Sequence, residues 1–498
     1  MIKENTAWPP AGIEPAFTEI ANCDLQLTGS TPIRKYSQAL TPNKFGLVGS
    51  LIRQPGGWHG DAERPETLPL AYNLCRASAD LLVGTAPTIT LPAGAEQQAH
   101  DYLDHLVSSD KFSADLHAAM ISCAAYGWVF ARVTWDNSVD AHPWIDFVDA
   151  DQAIAHWSFG RIDSVTFCEE YADPAGKEQV VFRLLEQHKP GSIEYRLFKG
   201  THSNIGSLQP LNALEETAHL LDVVDDNSCV HTGTQLLTAV PILNRDGNPN
   251  WRRFPQLKRM GYSDISMGGS IWAAANRVWS QTLYEIDAAR SRLLVSEELL
   301  NPGLPGQGQS FDWGRDVFRI SQSGNADSDG RIEPVQFALR IDDFRQALDL
   351  VESQALAAVG LSAITMGKDT SGTSVTATEI RAKSTATLNT AHGKGRMLRA
   401  GLSQILTAAV QVDSALHDYR ADDALVQIAL ADVVQDTELD RTKAVMNLRS
   451  ARAASTRYLV QRLHPEWSEQ QVDEEVSAIN RDESPDPFML SPDEAVEL

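Results

Sequence analysis

The sequence is short of positive charge. Lysine and arginine number 42 against 66 aspartates and glutamates, a formal net charge of −24 over 498 residues. Affinity for nucleic acid comes largely from neutralising phosphates, so a chain that grips DNA or RNA normally presents a basic face. A chain this acidic suits a surface that a polyanion slides past. Cysteine is sparse too. Cys23, Cys75, Cys123, Cys168 and Cys229 are odd in number, far apart and never spaced CxxC. This argues against a disulfide framework and a cysteine zinc site, and the five read as small reduced core residues. Long apolar runs are missing as well. The most apolar stretch, 118–133, contains Ser122 and Arg132 and falls short of the ~20 residues a bilayer demands. The first residues run into Trp8-Pro9-Pro10 with no apolar signal core. The expectation is a soluble chain, not exported by its own sequence and without a membrane partner.

Catalytic patterns are equally scarce. Around Gly360 and Lys368 the glycine spacing is wrong for a phosphate-binding loop, and Asp369 stands where a magnesium-holding Ser or Thr belongs. Gly303, Gly306 and Gly308 do not form GxGxxG, and no HxxxH or HExxH pair exists. His117, His142 and His156 read as surface or capping residues. Asp146, Asp149 and Asp151 form the one acidic grouping that invites a metal, but they lack the fixed Gly turn and downstream Glu of a calcium loop. The expectation is a protein that is not an enzyme and has no cofactor, no resident metal and no catalytic residue. A metal-dependent nuclease or nucleotidyltransferase built on those aspartates is the enzymatic rival.

What is present is an ordered alternation of patterns, which makes the fold class α+β. Residues 1–64 are rich in Pro and Gly and read as an arm over neighbouring structure. Leu70, Leu74, Ala77 and Leu81 recur at helical spacing up to Gly84, and further helices follow over 96–105 and 113–126. From Gly127 to Val240 the alternation is that of strands. A long helix is predicted from Ser263, with Trp272, Ala275, Trp279, Leu283, Ile286, Ala289 and Leu293 three or four apart, ending at Asn301-Pro302-Gly303. A Gly-rich segment with short strands over 317–320 and 335–337 leads to a second helix over 342–359. The stretch 360–375 holds Gly, Ser and Thr around Lys368-Asp369. Thr376-Ala377-Thr378-Glu379 then has capping-box spacing and starts a helix to about residue 413, where Gly393 and Gly395 invite a kink. A strand at 425–428, short helices over 437–479 with Ser468 as a cap, and an acidic tail complete the chain.

Several strings in this order resemble the portal (connector) proteins of tailed bacteriophages. They are Arg76-Ala77-Ser78-Ala79-Asp80-Leu81-Leu82-Val83-Gly84, Tyr126-Gly127-Trp128-Val129-Phe130-Ala131-Arg132-Val133, Asp149-Ala150-Asp151 with Trp157-Ser158-Phe159-Gly160, Gly261-Tyr262-Ser263-Asp264-Ile265, and Thr376-Ala377-Thr378-Glu379-Ile380. The similarity spans residues 65 to about 480. It implies an N-terminal arm (1–64), a wing (65–260), two stem helices (262–296 and 341–359) around a small α/β clip (297–340), and a tunnel loop (360–375). A kinked wing helix with its strand (376–432), a helical crown (433–480) and an acidic flexible tail (481–498) follow.

The resemblance implies a ring of twelve copies at one capsid vertex, passing double-stranded DNA during packaging, retention and ejection. Its partners would be the large terminase subunit, the head–tail adaptor, and the major capsid and scaffolding proteins. The chain would reside in the virion, and in the host cytoplasm during assembly. Gly367, Lys368, Asp369, Thr370, Ser371 and Gly372 would then line the channel, and Phe311, Trp313 and Arg315 would face the docking partners. Trp272, Trp279, Leu283 and Ile286 would pack the stem. A minor capsid or baseplate adaptor without a DNA channel is the alternative.

Overall fold

The computed structural model describes residues 2–28, 68–92, 94–288, 292–295, 301–302, 309–310, 332–335, 339–363, 377–421, 424–431, 438–451, 453–464, 467 and 469–482. The chain divides into two units, Met1–Ala431 and Asp432–Leu498.

The first unit begins with a helix that composition concealed. α1 (Glu14–Thr28) buries Ala16, Phe17, Ile20 and Cys23, a helical period set in Pro-rich surroundings. Residues 2–28 are thus built into the fold and are not draped over it. Ala7 pairs with Asn204, and buried Trp8 lies under the Arg183 guanidinium, 5.3 Å from its ring centre. Arg183, itself fully buried, donates to Glu170 Oε1 at 2.6 Å and to the carbonyls of Thr201 at 2.7 Å and Asn204 at 3.2 Å.

α2 (Leu70–Val83) packs on α4 (Asp110–Tyr126), with α3 (Gln97–Val107) between them in sequence. Ser109 caps α4 by accepting from the Phe112 amide at 3.1 Å. Gly127 ends it at φ +97°, a left-handed conformation natural to glycine. β1 (Thr88–Thr90) pairs with β15 (Gln427–Ala429), two segments some 340 residues apart in sequence. Three antiparallel strands follow in the order β10-β2-β3: β2 (Trp128–Thr134), β3 (Trp144–Val148) and β10 (Ala239–Leu243). A second antiparallel sheet runs β4 (Ala153–Ser158), β5 (Arg161–Ala172), β6 (Val181–Lys189), β7 (Ser192–Thr201) and β8 (Asn204–Gln209), with β9 (Cys229–His231) also pairing with β7.

Charges gather where the two sheets meet. Arg132 of β2 donates to Asp146 of β3 at 2.9 Å and to Glu186 of β6 at 2.5 Å, and lies 4.9 Å from the Phe167 ring centre. Asp146 is therefore an ion-pair partner of the sheet. His188 Nε2 stands 2.8 Å from the other Glu186 oxygen. Burial pushes the Glu186 carboxyl up, but His188, Arg132 and Tyr195 together outweigh it and hold it below its ordinary 4.5. A depressed carboxyl stabilises the fold above the unfolded-state value, and that contribution is lost as pH falls through the folded one. The stability gap between the wild type and Glu186→Gln is thus expected to be widest above about pH 4.5 and to close below it, by about 1.4 kcal/mol for each tenfold change in acid constant. Urea midpoints across the acid range check this, and a pH-independent gap would contradict it.

The long helix predicted from Ser263 is broken. Ser263 does cap a helix, accepting from Ser266 N at 3.0 Å, but α5 (Asp264–Gly268) stops after one turn at Gly269, φ +49°. A Cβ on Gly268 would lie 2.3 Å from the Trp272 indole, so this turn exists because the two glycines let that ring fold back onto it. α6 (Ile271–Ala288) then runs only to Ala288, and Leu293, expected on the same helix, lies in β11 (Arg292–Val295), paired with β14 (Ile332–Val335). β12 (Asn301–Pro302) pairs with β13 (Gln309–Ser310). The strand predicted at 317–320 lies outside the described residues. α7 (Ile341–Val359) matches the predicted second helix and ends at left-handed Gly360.

α8 (Ala377–His417) is one uninterrupted 41-residue helix through Gly393 and Gly395. Gly395 and Gly401 serve close packing: a Cβ on them would come within 2.9 Å of Leu430 and 2.8 Å of Ile242 respectively. Its buried Leu398, Leu402, Ile405, Leu406 and Ala409 join α2, α3, α4, β2 and β10 in the main core. The second unit contains α9 (Glu438–Ser450), α10 (Thr456–Leu463) and α11 (Glu469–Asp482), which bury Leu459, Val460 and Val472. Ser468 lies outside the described residues, immediately before α11.

Candidate functional site: a two-helix arm rooted on a buried ion pair

α6 and α7 are joined through the β11–β14 ladder and pack on each other. Their roots are deep in the fold. Trp272 and Ala275 of α6, with Ala355, Leu356 and Val359 of α7, share a core with Leu74 and Cys75 of α2, Ala124 and Ala125 of α4, and Ile265. Trp272 donates its indole N–H to the Ile265 carbonyl at 2.7 Å. This tryptophan is packed within its own chain, and no neighbouring copy is needed to bury it. Beyond the roots the arm has no buried side chain among the described residues. Trp279 and Leu283 are half-buried, Tyr284 and Ile286 are exposed, and on α7 Leu350 is 62% exposed. Arg340 bridges Glu285 with two 2.9 Å hydrogen bonds, tying the far end of α6 to the start of α7. The exposed charges of α7 are mainly acidic, Asp342, Asp343 and Asp349 against Arg345.

The root is held by a fully buried ion pair between Asp264 of α5 and Lys394 of α8. Lys394 also donates to Ser78 Oγ of α2. Asp264 Oδ1 accepts from Asn244 Nδ2 at 2.9 Å, and the Arg245 guanidinium stands 3.7 Å away. Burial lowers the Lys394 ammonium, while Asp264 acts to raise it. Arg245 also donates to the Val359 carbonyl, Thr390 Oγ1 donates to the Gly360 carbonyl at 2.9 Å, and Thr387 Oγ1 accepts from Ser362 N at 2.8 Å. The end of α7 is thus stitched to α8. Gly127 and Gly261 complete the root: a Cβ on Gly261 would lie 1.9 Å from the Gly127 carbonyl oxygen. The strings around Ser78, Gly127 and Asp264, distant in sequence, meet here.

Of the other candidates, Gly367, Lys368, Asp369, Thr370, Ser371 and Gly372 lie outside the described residues, as do Phe311, Trp313 and Arg315. His117 stands 2.7 Å from Asp80, and His156 stands 3.2 Å from the Thr166 hydroxyl. His142 has a different environment, 271 positions from its partner Asp413. The buried network at the root was not among the sequence candidates. Its members are ordinary polar residues, and only the fold brings them together.

No protein-family model matches this chain, and no curated protein matches it. Among solved structures it is similar to a chain in the neck of an empty gene transfer agent particle with C6 symmetry. That match has TM-score 0.41 and 11% identity, over 78% of this chain and 88% of that one. A chain of the native gene transfer agent virion gives 0.40 and 12%, over 80% and 89%. A chain of the native neck with C12 symmetry gives 0.40 and 10%, over 80% and 89%.

Proposed function

We propose that this chain is a portal subunit: a structural protein, without catalytic activity, that forms a closed ring around a DNA channel at one vertex of a phage-like capsid. The observation that carries this reading is the arm. Among the described residues the two helices bury only one side of each other, with Ile286 and Leu350 exposed, whereas a stable helix pair normally has a second apolar contact. Copies arranged head to tail around an axis supply that contact for every arm at once, and the ring closes when the rotation permits. The acidic surface of α7 and the net charge of −24 suit a wall that releases DNA. The sequence resemblance assigns 297–340, with Phe311, Trp313 and Arg315, to docking of the terminase motor and later of the head–tail adaptor. It assigns the loop around Lys368 to the channel.

The rival adaptor reading is separated by particles assembled without this chain. If it is the portal, heads are expected to contain no nuclease-resistant DNA, because packaging has no entry. Heads that still protect DNA from nuclease, and fail only in tail attachment, would overturn the portal reading in favour of an adaptor.

A further inference from the structure

His142, Asp413 and His417 converge at one point. His142 sits in the loop before β3, and Asp413 and His417 occupy i and i+4 positions at the end of α8. His142 Nδ1 lies 2.7 Å and His417 Nε2 3.4 Å from the same oxygen, Asp413 Oδ1, and one ligand atom from each residue falls within 4.8 Å of the others. The imidazole rings stand 4.5 Å apart. Asp413 is 1% exposed while both histidines reach the surface, so the group is a buried carboxylate beneath two imidazoles that solvent can reach. The Tyr419 hydroxyl donates to Asp413 Oδ2 at 2.7 Å, which orients the carboxylate and leaves Oδ1 directed at the histidines.

We propose that these three residues form a binding site for a divalent transition-metal ion, Zn2+ by the chemistry of the donors. Two imidazoles and one carboxylate are a borderline N2O set. Zinc bonds of about 2.0–2.2 Å place tetrahedral ligands roughly 3.3 Å apart, a separation that small rotamer shifts reach here. Two independent features favour a cation. A desolvated carboxylate requires a positive partner, and among the described residues the ion pairs of Asp413 are to these two imidazoles. The site also lies at the C-terminal end of a 41-residue helix, where unsatisfied carbonyls make the potential negative. His417 Nε2 lies 3.1 Å from the Ala141 carbonyl, and in the tautomer that donates to it, the Nε2 proton is the one that the metal displaces. The ion would pin the β2–β3 loop to the end of α8, with a fourth position open to water.

The full-length protein, stripped with a chelator, is titrated with Zn2+ alone by calorimetry and with Co2+ by visible absorption. The expected result is one ion per subunit, a tetrahedral Co2+ spectrum and a rise in thermal midpoint on loading. His142→Ala and His417→Ala should each weaken Zn2+ binding by more than about 100-fold, and Tyr419→Phe by roughly 10–100-fold, the range for an outer-shell partner. His105→Ala is the control, its ring 6.0 Å from His142, and should bind as the wild type does. Wild-type protein that binds no Zn2+, or His142→Ala with unchanged affinity, overturns the proposal. So does a midpoint that responds to histidine protonation but not to Zn2+, which would assign the positive charge to a proton.

Discussion

Asp264→Ala is expected to cost about 3–5 kcal/mol, the range for removing one partner of a buried ion pair, because Lys394 is left buried with no carboxylate. Lys394→Met strands Asp264 in the same way and should cost a similar amount, moderated by the Asn244 hydrogen bond and the nearby Arg245. Replacing both, Asp264→Asn with Lys394→Met, should cost clearly less than the sum of the single changes, since the buried ammonium and carboxylate leave together and only the partly exposed Arg245 loses a partner. Urea denaturation of the three variants measures this directly. Single variants within 1 kcal/mol of wild type would contradict the assignment of the pair as the clamp at the root of the arm.

The largest change in assembly is expected from charges on the exposed sides of the arm. Ile286→Asp and Leu350→Glu alter side chains that are exposed within the chain, so each should shift its own stability by only about 0.5 kcal/mol, and Tyr284→Asp adds a third charge to the arm. Combined, they place three carboxylates where neighbouring copies are proposed to bury apolar surface. Light scattering with size-exclusion chromatography is expected to show monomers where the wild type gives a high-order oligomer. A triple variant that still forms rings of wild-type mass would exclude these positions from the interface.

These two experiments probe features that differ in how far they were legible in the sequence. α7 and the cap at Ser263 were readable, since periodicity and capping act over a few residues. The break after Gly268 is not visible in the pattern because Ile265 and Trp272, on either side of it, keep helical spacing across it. The interruption depends on how an indole packs on a glycine. α1 was hidden by the Pro-rich composition around it, and only Phe17, Ile20 and Cys23 in contact with distant strands and helices reveal its burial. Neither the Asp264–Lys394 pair nor the His142–Asp413–His417 group was accessible, because their members are separated by 130 and 271 positions. Asp413-Ser414-Ala415-Leu416-His417 did carry half a metal motif, but its third ligand belongs to another element.

Electron micrographs of the purified chain, averaged by class and paired with mass measurement, test the central claim most directly. The expected result is a closed ring with an open central channel, its copy number constant across protein concentration and salt. Monomers or dimers under all those conditions, or rings without a through-channel, would contradict it.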